Sequence, residues 1–220
     1  MSTSNADARV TPPIGVPHWP AMVALFVAAL LLAFVSTQLA FAPSLLPLAV
    51  VVVVAVPLAF AIQRQNPAWR RRLGMIALGT VTAAVAASTI FLVYQLATGK
   101  ITAPSLLTGA AGLWAANLVT FGLWYWEIDG GGPSKRRRDG HVSTDLLFPQ
   151  LQVGDGTSSH GWWPTFLDYL FVAFNASTAF SPTDTLLMSR RAKILMMIQA
   201  TISFVNVIVI AARAINTLNG

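Results

Sequence analysis

Five stretches of this chain, residues 21–41, 44–62, 73–97, 105–126 and 194–212, contain no charged residue. Each is close to the ~20 residues an α-helix needs to cross a hydrocarbon core about 30 Å thick. In lipid every backbone N–H and C=O must be bonded within the protein, which leaves helices or a closed barrel. Barrel strands alternate polar with apolar residues, and none of the five runs does. A soluble fold of this length would need amphipathic helices to cover its core. Instead the chain is 55% hydrophobic and 10% charged, against roughly 25% charged in ordinary soluble domains. The expected fold is an all-α integral membrane protein with five transmembrane helices. Residues 1–17 are expected to form a disordered N-terminal tail. The first run follows a mostly polar lead with only Arg9 as a basic residue, so it reads as a retained span and not as a signal peptide.

Charge sets the topology. Eleven of the fourteen basic residues fall in three clusters: Arg64, Arg70, Arg71 and Arg72; Lys135, Arg136, Arg137 and Arg138; and Arg190, Arg191 and Lys193. Short loops rich in Lys and Arg stay cytoplasmic. The N-terminus is therefore expected in the cytoplasm, with residues 18–126 forming two hairpins and residues 127–163 a cytoplasmic loop. Only Lys100 marks the loop between the third and fourth runs. The formal charge of +6 fits anionic lipid at the inner leaflet of a bacterial cytoplasmic membrane better than nucleic acid. Most of the seven tryptophans lie at run ends, as interfacial anchors do.

Residues 165–187, TFLDYLFVAFNASTAFSPTDTLL, are too polar for a plain span and too apolar for a loop. A full crossing would place Arg190, Arg191 and Lys193 outside, against the charge rule. A re-entrant hairpin resolves this, with a short helix over 165–179 anchored by Asp168, a turn over 180–188, and the last helix over 189–218. Irregular backbone at membrane depth is tolerated only where protein buries it or water lines it, so this hairpin is the candidate functional segment. On the last helix Gln199, Ser203, Asn206 and Arg213 follow offsets of 4, 3 and 7 and share one face. That face serves either as pore lining or as interhelical hydrogen-bond glue.

The order of aspartate, short aromatic-rich helix, Thr-containing turn, aspartate, basic residues and long helix resembles the pore module of tetrameric potassium channels. The resemblance implies a pore helix over 165–179. It places Ser177, Thr178, Ala179, Phe180, Ser181, Pro182, Thr183 and Asp184 at the filter, with Asn175 just before it and Ser203 near the family's hinge glycine. Phe180 and Pro182 stand among positions where that family relies on glycines to aim carbonyls at the ion, so the resemblance does not extend to potassium selectivity. Charge also turns the hairpin to the cytoplasmic side, opposite to those channels. Over residues 122–218 the chain is similar to a group of uncharacterised bacterial multi-pass membrane proteins. The shared blocks are Trp124-Tyr125-Trp126-Glu127, Gly131-Gly132-Pro133, Phe148-Pro149-Gln150 and the stretch from Asp168 to Ala214.

Other chemistry finds little footing. Cysteine is absent, and His18, His141 and His160 have no ligand spacing. Neither a metal nor another cofactor is expected, nor is enzymatic activity. Gly130, Gly131 and Gly132 lack the Lys-Ser/Thr of a phosphate loop and read as a flexible linker. Glu127 and Asp129 read as a membrane exit paired with Lys135 or Arg136. Ala83, Ala84, Ala86, Ala87 and Ser88 in the third run and Gly109, Ala110, Ala111 and Gly112 in the fourth allow close helix approach, and Pro47 and Pro57 predict bends. The function expected from these features is a homo-oligomeric, most simply tetrameric, cation channel with inorganic ions and the bilayer as its partners. The alternatives are a non-conducting membrane scaffold and a small-solute transporter. A transporter would predict an inverted repeat between halves, which the sequence lacks.

Overall fold

The computed structural model describes residues 19–39, 67–99, 101–139, 145–151, 162–181 and 184–218. Its helices are α1 (Trp19–Gln38), α2 (Pro67–Thr98), α3 (Ala103–Ile128), α4 (Pro133–Asp139), α5 (Phe166–Thr178) and α6 (Arg190–Leu218). Two short strands, β1 (Leu146–Leu147) and β2 (Leu186–Leu187), pair antiparallel, with Leu146 opposite Leu187. Four helices are long and apolar enough to cross a membrane, over Pro20–Gln38, Arg71–Thr98, Ala103–Gly131 and Arg190–Ile215. They match four of the five uncharged runs. The run at 44–62, with Pro47 and Pro57, and the tail at 1–17 lie outside the described residues.

The bundle is organised around α3, which touches α1, α2, α5 and α6. Two-thirds of the apolar window of α3 is buried, against one-third in each of the other spanning helices. Small residues make this possible. A Cβ at Gly109 would lie 2.8 Å from Leu39 Cδ2, and one at Gly112 2.8 Å from Val35 Cγ2, so the side chains of α1 rest directly on the α3 backbone. On another face a Cβ at Gly122 would lie 3.3 Å from Leu170 Cα, which brings the backbones of α3 and α5 together. Without a hydrophobic difference between lipid and side chain, such close packing is what holds membrane helices together.

The described members of the three basic clusters lie at one end of this bundle. The helix α2 begins there, with Arg71 reaching the site that a Cβ on Gly132 would occupy. At the same end α3 runs into α4, and α6 begins with Arg191 donating from Nη2 to the Ile128 carbonyl at 3.2 Å. The glycines after α3 are not a flexible linker. Gly130, Gly131 and Gly132 have φ of +57°, +82° and +96°, a left-handed run that side chains rarely adopt. It closes a 3₁₀ turn over Asp129–Gly131 and reverses the chain into α4. The loop beyond is also partly structured, through α4, β1 and a 3₁₀ turn at Pro149–Leu151.

From that end α5 starts beside Asp129, where the Tyr169 hydroxyl donates to Oδ2 at 2.6 Å. It runs along α3 and finishes near Trp114, whose Nε1 donates to the Ser177 carbonyl at 3.4 Å. Just beyond, the Phe180 ring packs edge-on against Phe204, 5.6 Å away and well along α6. The chain then returns to the end it left, because Leu186 and Leu187 pair with β1. Thirteen helical residues span about 20 Å, roughly half the length of α6.

If the α1–α3 contact depends on absent side chains, Gly112→Leu overpacks it by about 1–3 kcal/mol and lowers the thermal midpoint in detergent. Gly79→Ala, in α2 with open space around it, leaves the midpoint unchanged or raises it. Scanning fluorimetry of the two variants checks the contrast, and equal shifts would contradict it.

Candidate functional site

Helical periodicity puts Gln199, Ser203 and Asn206 on one face of α6, and all three are fully buried. Gln199 is the hub of that face. Its Nε2 donates to the Ala173 carbonyl at 2.7 Å and to Ser177 Oγ at 2.9 Å, while its Oε1 accepts from the Tyr125 hydroxyl at 2.7 Å. Asn117 Nδ2 on α3 donates to the Gln199 carbonyl at 3.1 Å and to Ser203 Oγ at 2.8 Å. Asn206 Nδ2 reaches Thr89 Oγ1 on α2 at 3.5 Å. Four helices are thus tied together by side-chain amides and hydroxyls. Among the described residues these α6 side chains face neighbouring helices, and the outward side of α6 is apolar, with Ile194, Met197, Phe204 and Ile208 exposed. Arg213 lies half-buried toward the far end of the helix.

The hairpin carries the remaining candidates. Asp168 Oδ2 accepts from the Thr165 amide at 2.7 Å and from its hydroxyl at 2.8 Å, holding the first turn of α5. Asn175 is half-buried, and Ser177 is buried and bonded to Gln199. Thr178, Ala179, Phe180, Ser181 and Asp184 are exposed, whereas Pro182 and Thr183 lie outside the described residues. The helix ends with the Ala179 amide donating to the Asn175 carbonyl at 2.9 Å. Phe180 then takes φ +54°, a conformation that costs a non-glycine residue about 1–3 kcal/mol. The comparison with filter glycines is corrected at this residue: Phe180 does reach the left-handed region, with its ring packed against Phe204.

A second polar cluster at the base of the hairpin has no periodic signature in the sequence. Asp129, Arg136 and Asp145 are all buried. Asp129 accepts from Tyr169 at Oδ2 and from the Leu146 amide, 3.2 Å away, at Oδ1. Arg136 Nη1 donates to the carbonyls of Trp126 and Asp129. Its guanidinium lies 4.9 Å from the centroid of the Trp126 ring and 5.2 Å from that of Tyr169, in the range of a cation–π contact. Asp145 pairs with Arg191 through both carboxylate oxygens, and its carbonyl accepts from the Met188 amide at 2.9 Å.

Among the described residues no three His, Asp or Glu side chains converge in a way that could hold a metal ion. All three histidines lie outside the described residues. The partners that sequence reasoning missed are Asn117, Tyr125, Tyr169, Asp145 and Thr89. A signal existed for Asn117, the one amide in an otherwise apolar run. None existed for Asp145, whose partner is 46 residues away. The chain matches no protein-family model, no curated protein and no solved structure.

Gln199→Leu removes both of the hub's side-chain donors and its acceptor. At about 0.6 kcal/mol per interhelical bond, the loss is about 2 kcal/mol. A double-mutant cycle with Tyr125→Phe, measured by unfolding in SDS, gives a coupling of about 0.6 kcal/mol; zero coupling would remove the Tyr125 bond from the hub.

Proposed function

We propose that this chain is the subunit of a homo-oligomeric channel, most simply a tetramer, that passes cations across a bacterial cytoplasmic membrane. Its N-terminus is cytoplasmic, and residues 165–187 form a re-entrant hairpin entering from the cytoplasmic side. The observation that carries the reading is the exposed hairpin tip. Thr178, Ser181 and Asp184 are exposed on a segment that reaches about halfway along a bundle of membrane-length helices. Polar side chains and irregular backbone are not stable against hydrocarbon. A water-filled path between copies of the chain accommodates them.

Two further features favour cations. The C-terminal end of α5 directs its last carbonyls, and the negative end of the helix dipole, toward this depth. Asp184, on the return limb, adds a carboxylate near the mouth. The lining in this reading comes from the exposed residues Thr178 and Ser181 with the backbone around them. Gln199, Ser203 and Asn206 then act behind the path by holding α6 on α3 and α5. The position of the described members of the three basic clusters at one end supports the orientation. The resemblance to a potassium-channel pore module supports the architecture of outer helix α3, short helix α5 and inner helix α6.

The second reading, a non-conducting membrane scaffold, is favoured by one observation. Gln199, Ser203 and Asn206 of α6 are buried against the chain's own helices, which leaves an apolar outer face that could pack against another protein. Particle symmetry separates the two, since a channel of this kind brings its hairpins together on a rotational axis.

In proteoliposomes the purified protein is expected to pass monovalent cations, and Asp184→Ala to reduce the flux on the order of tenfold by removing the charge that concentrates cations at the mouth. Absence of flux in the unaltered protein, or wild-type flux in Asp184→Ala together with a monomeric particle, would overturn the proposal.

A further inference from the structure

The return limb of the hairpin is held by residues far from it in sequence, and the way it is held gives it a control point. The only ladder on the limb among the described residues is the pairing of Leu186 and Leu187 with Leu146 and Leu147. A two-stranded ladder of two residues per strand is marginal by itself. Two aspartates reinforce it from either side. Asp145 is buried and binds Arg191 in the first turn of α6, while its carbonyl takes the Met188 amide. On the other side the Leu146 amide donates to Asp129 Oδ1, and the same carboxylate accepts the Tyr169 hydroxyl from α5. Phe148, next along, packs its ring against Tyr169 at 5.3 Å and Trp162 at 5.6 Å.

One short segment thus touches the end of α3, the start of α5, the return limb and the start of α6. We infer that residues 145–148 are a strap whose seating sets the position of the return limb, so that release of Asp145 from Arg191 frees residues 184–188. On the channel reading above, on which this last step rests, the strap governs the ion path.

The pairing matters for a physical reason. Asp145 is buried, so loss of the Arg191 cation removes a charge partner from a carboxylate held away from water. Movement of that carboxylate toward solvent relieves the cost and loosens the adjoining ladder between β1 and β2. Half of the Arg191 side chain is exposed, at 52%, so the cation is the partner that water can rehydrate first. The far end of the strap stays packed at Phe148 against Tyr169 and Trp162, which makes the motion a hinge about that residue and not an unfolding of the bundle.

Hydrogen exchange on the full chain in detergent or nanodiscs tests the strap without reference to conduction. In Asp145→Asn and in Arg191→Gln, peptides covering the Met188 and Leu146 amides are expected to exchange about tenfold faster, with peptides from the middle of α3 unchanged. Unchanged exchange at Met188, or a rise of equal size across α3, would overturn the strap. Because the chain has no cysteine, Leu146→Cys with Leu187→Cys offers a second route. Oxidised to a disulfide across the ladder, this variant is expected to return Met188 exchange in Asp145→Asn to the wild-type rate and to change proteoliposome cation flux severalfold relative to its reduced form. Equal flux in the two forms would detach the strap from the ion path. If no form conducts, the channel reading fails, and the exchange measurement still decides the strap.

Discussion

Polar groups placed among apolar helices must find their partners inside the protein, and α3 is where this chain supplies them. Asn117 and Tyr125 on α3 engage Gln199 and Ser203 of α6, and Gln199 in turn engages Ala173 and Ser177 of α5. Trp124 donates from Nε1 to Thr82 Oγ1 of α2 at 2.7 Å. These bonds are individually modest, but each has direction, which apolar packing lacks. They set the rotation of α6 and the depth of α5. The glycines of α3 set how near the other helices come, and the amides and the phenol set how they are turned.

The base of the hairpin follows the same rule with charge added. A buried arginine between two aromatic rings and two buried aspartates would each be costly alone. Together they take hydrogen bonds from or give them to the backbone of α3, the 3₁₀ turn and β1. The glycine turn after α3 is what brings Arg136 back under Trp126, since three successive residues at positive φ reverse the chain within one turn. Local backbone chemistry thereby positions a long-range electrostatic cluster, and that cluster holds both legs of the hairpin. At the tip Phe180 packs on Phe204, and the strain at Phe180 falls where the segment is exposed.

Much of this architecture was legible in the sequence for simple reasons. Uncharged runs of membrane length identify themselves, and four of them coincide with the long helices. The short helix of the hairpin announced its start through Thr165 and Asp168, a local capping pattern. Gly109 and Gly112 marked a close helix contact. Asp145 with Arg191, and Tyr169 with Asp129, left no trace because their spacing follows no period. Gly130 to Gly132 were misread as a linker, since glycine is compatible with both a mobile chain and a tight left-handed turn, and composition does not separate the two. The polar face of α6 was visible, but two uses of it remained open until the facing residues were known.

By itself the sequence determined that the chain is helical, that it has membrane-length spans, and which ends of α2, α3 and α6 carry positive charge. These properties depend on the solvent each residue must face, which is a one-dimensional matter of runs and flanks. Only the tertiary structure decided that α3 is the centre, that Gln199 bonds inward to Tyr125 and Ser177, and that residues 145–148 bind the return limb to α6. Those outcomes depend on which polar group meets which across tens of residues. A buried donor or acceptor demands some partner, but its position along the chain does not say which one.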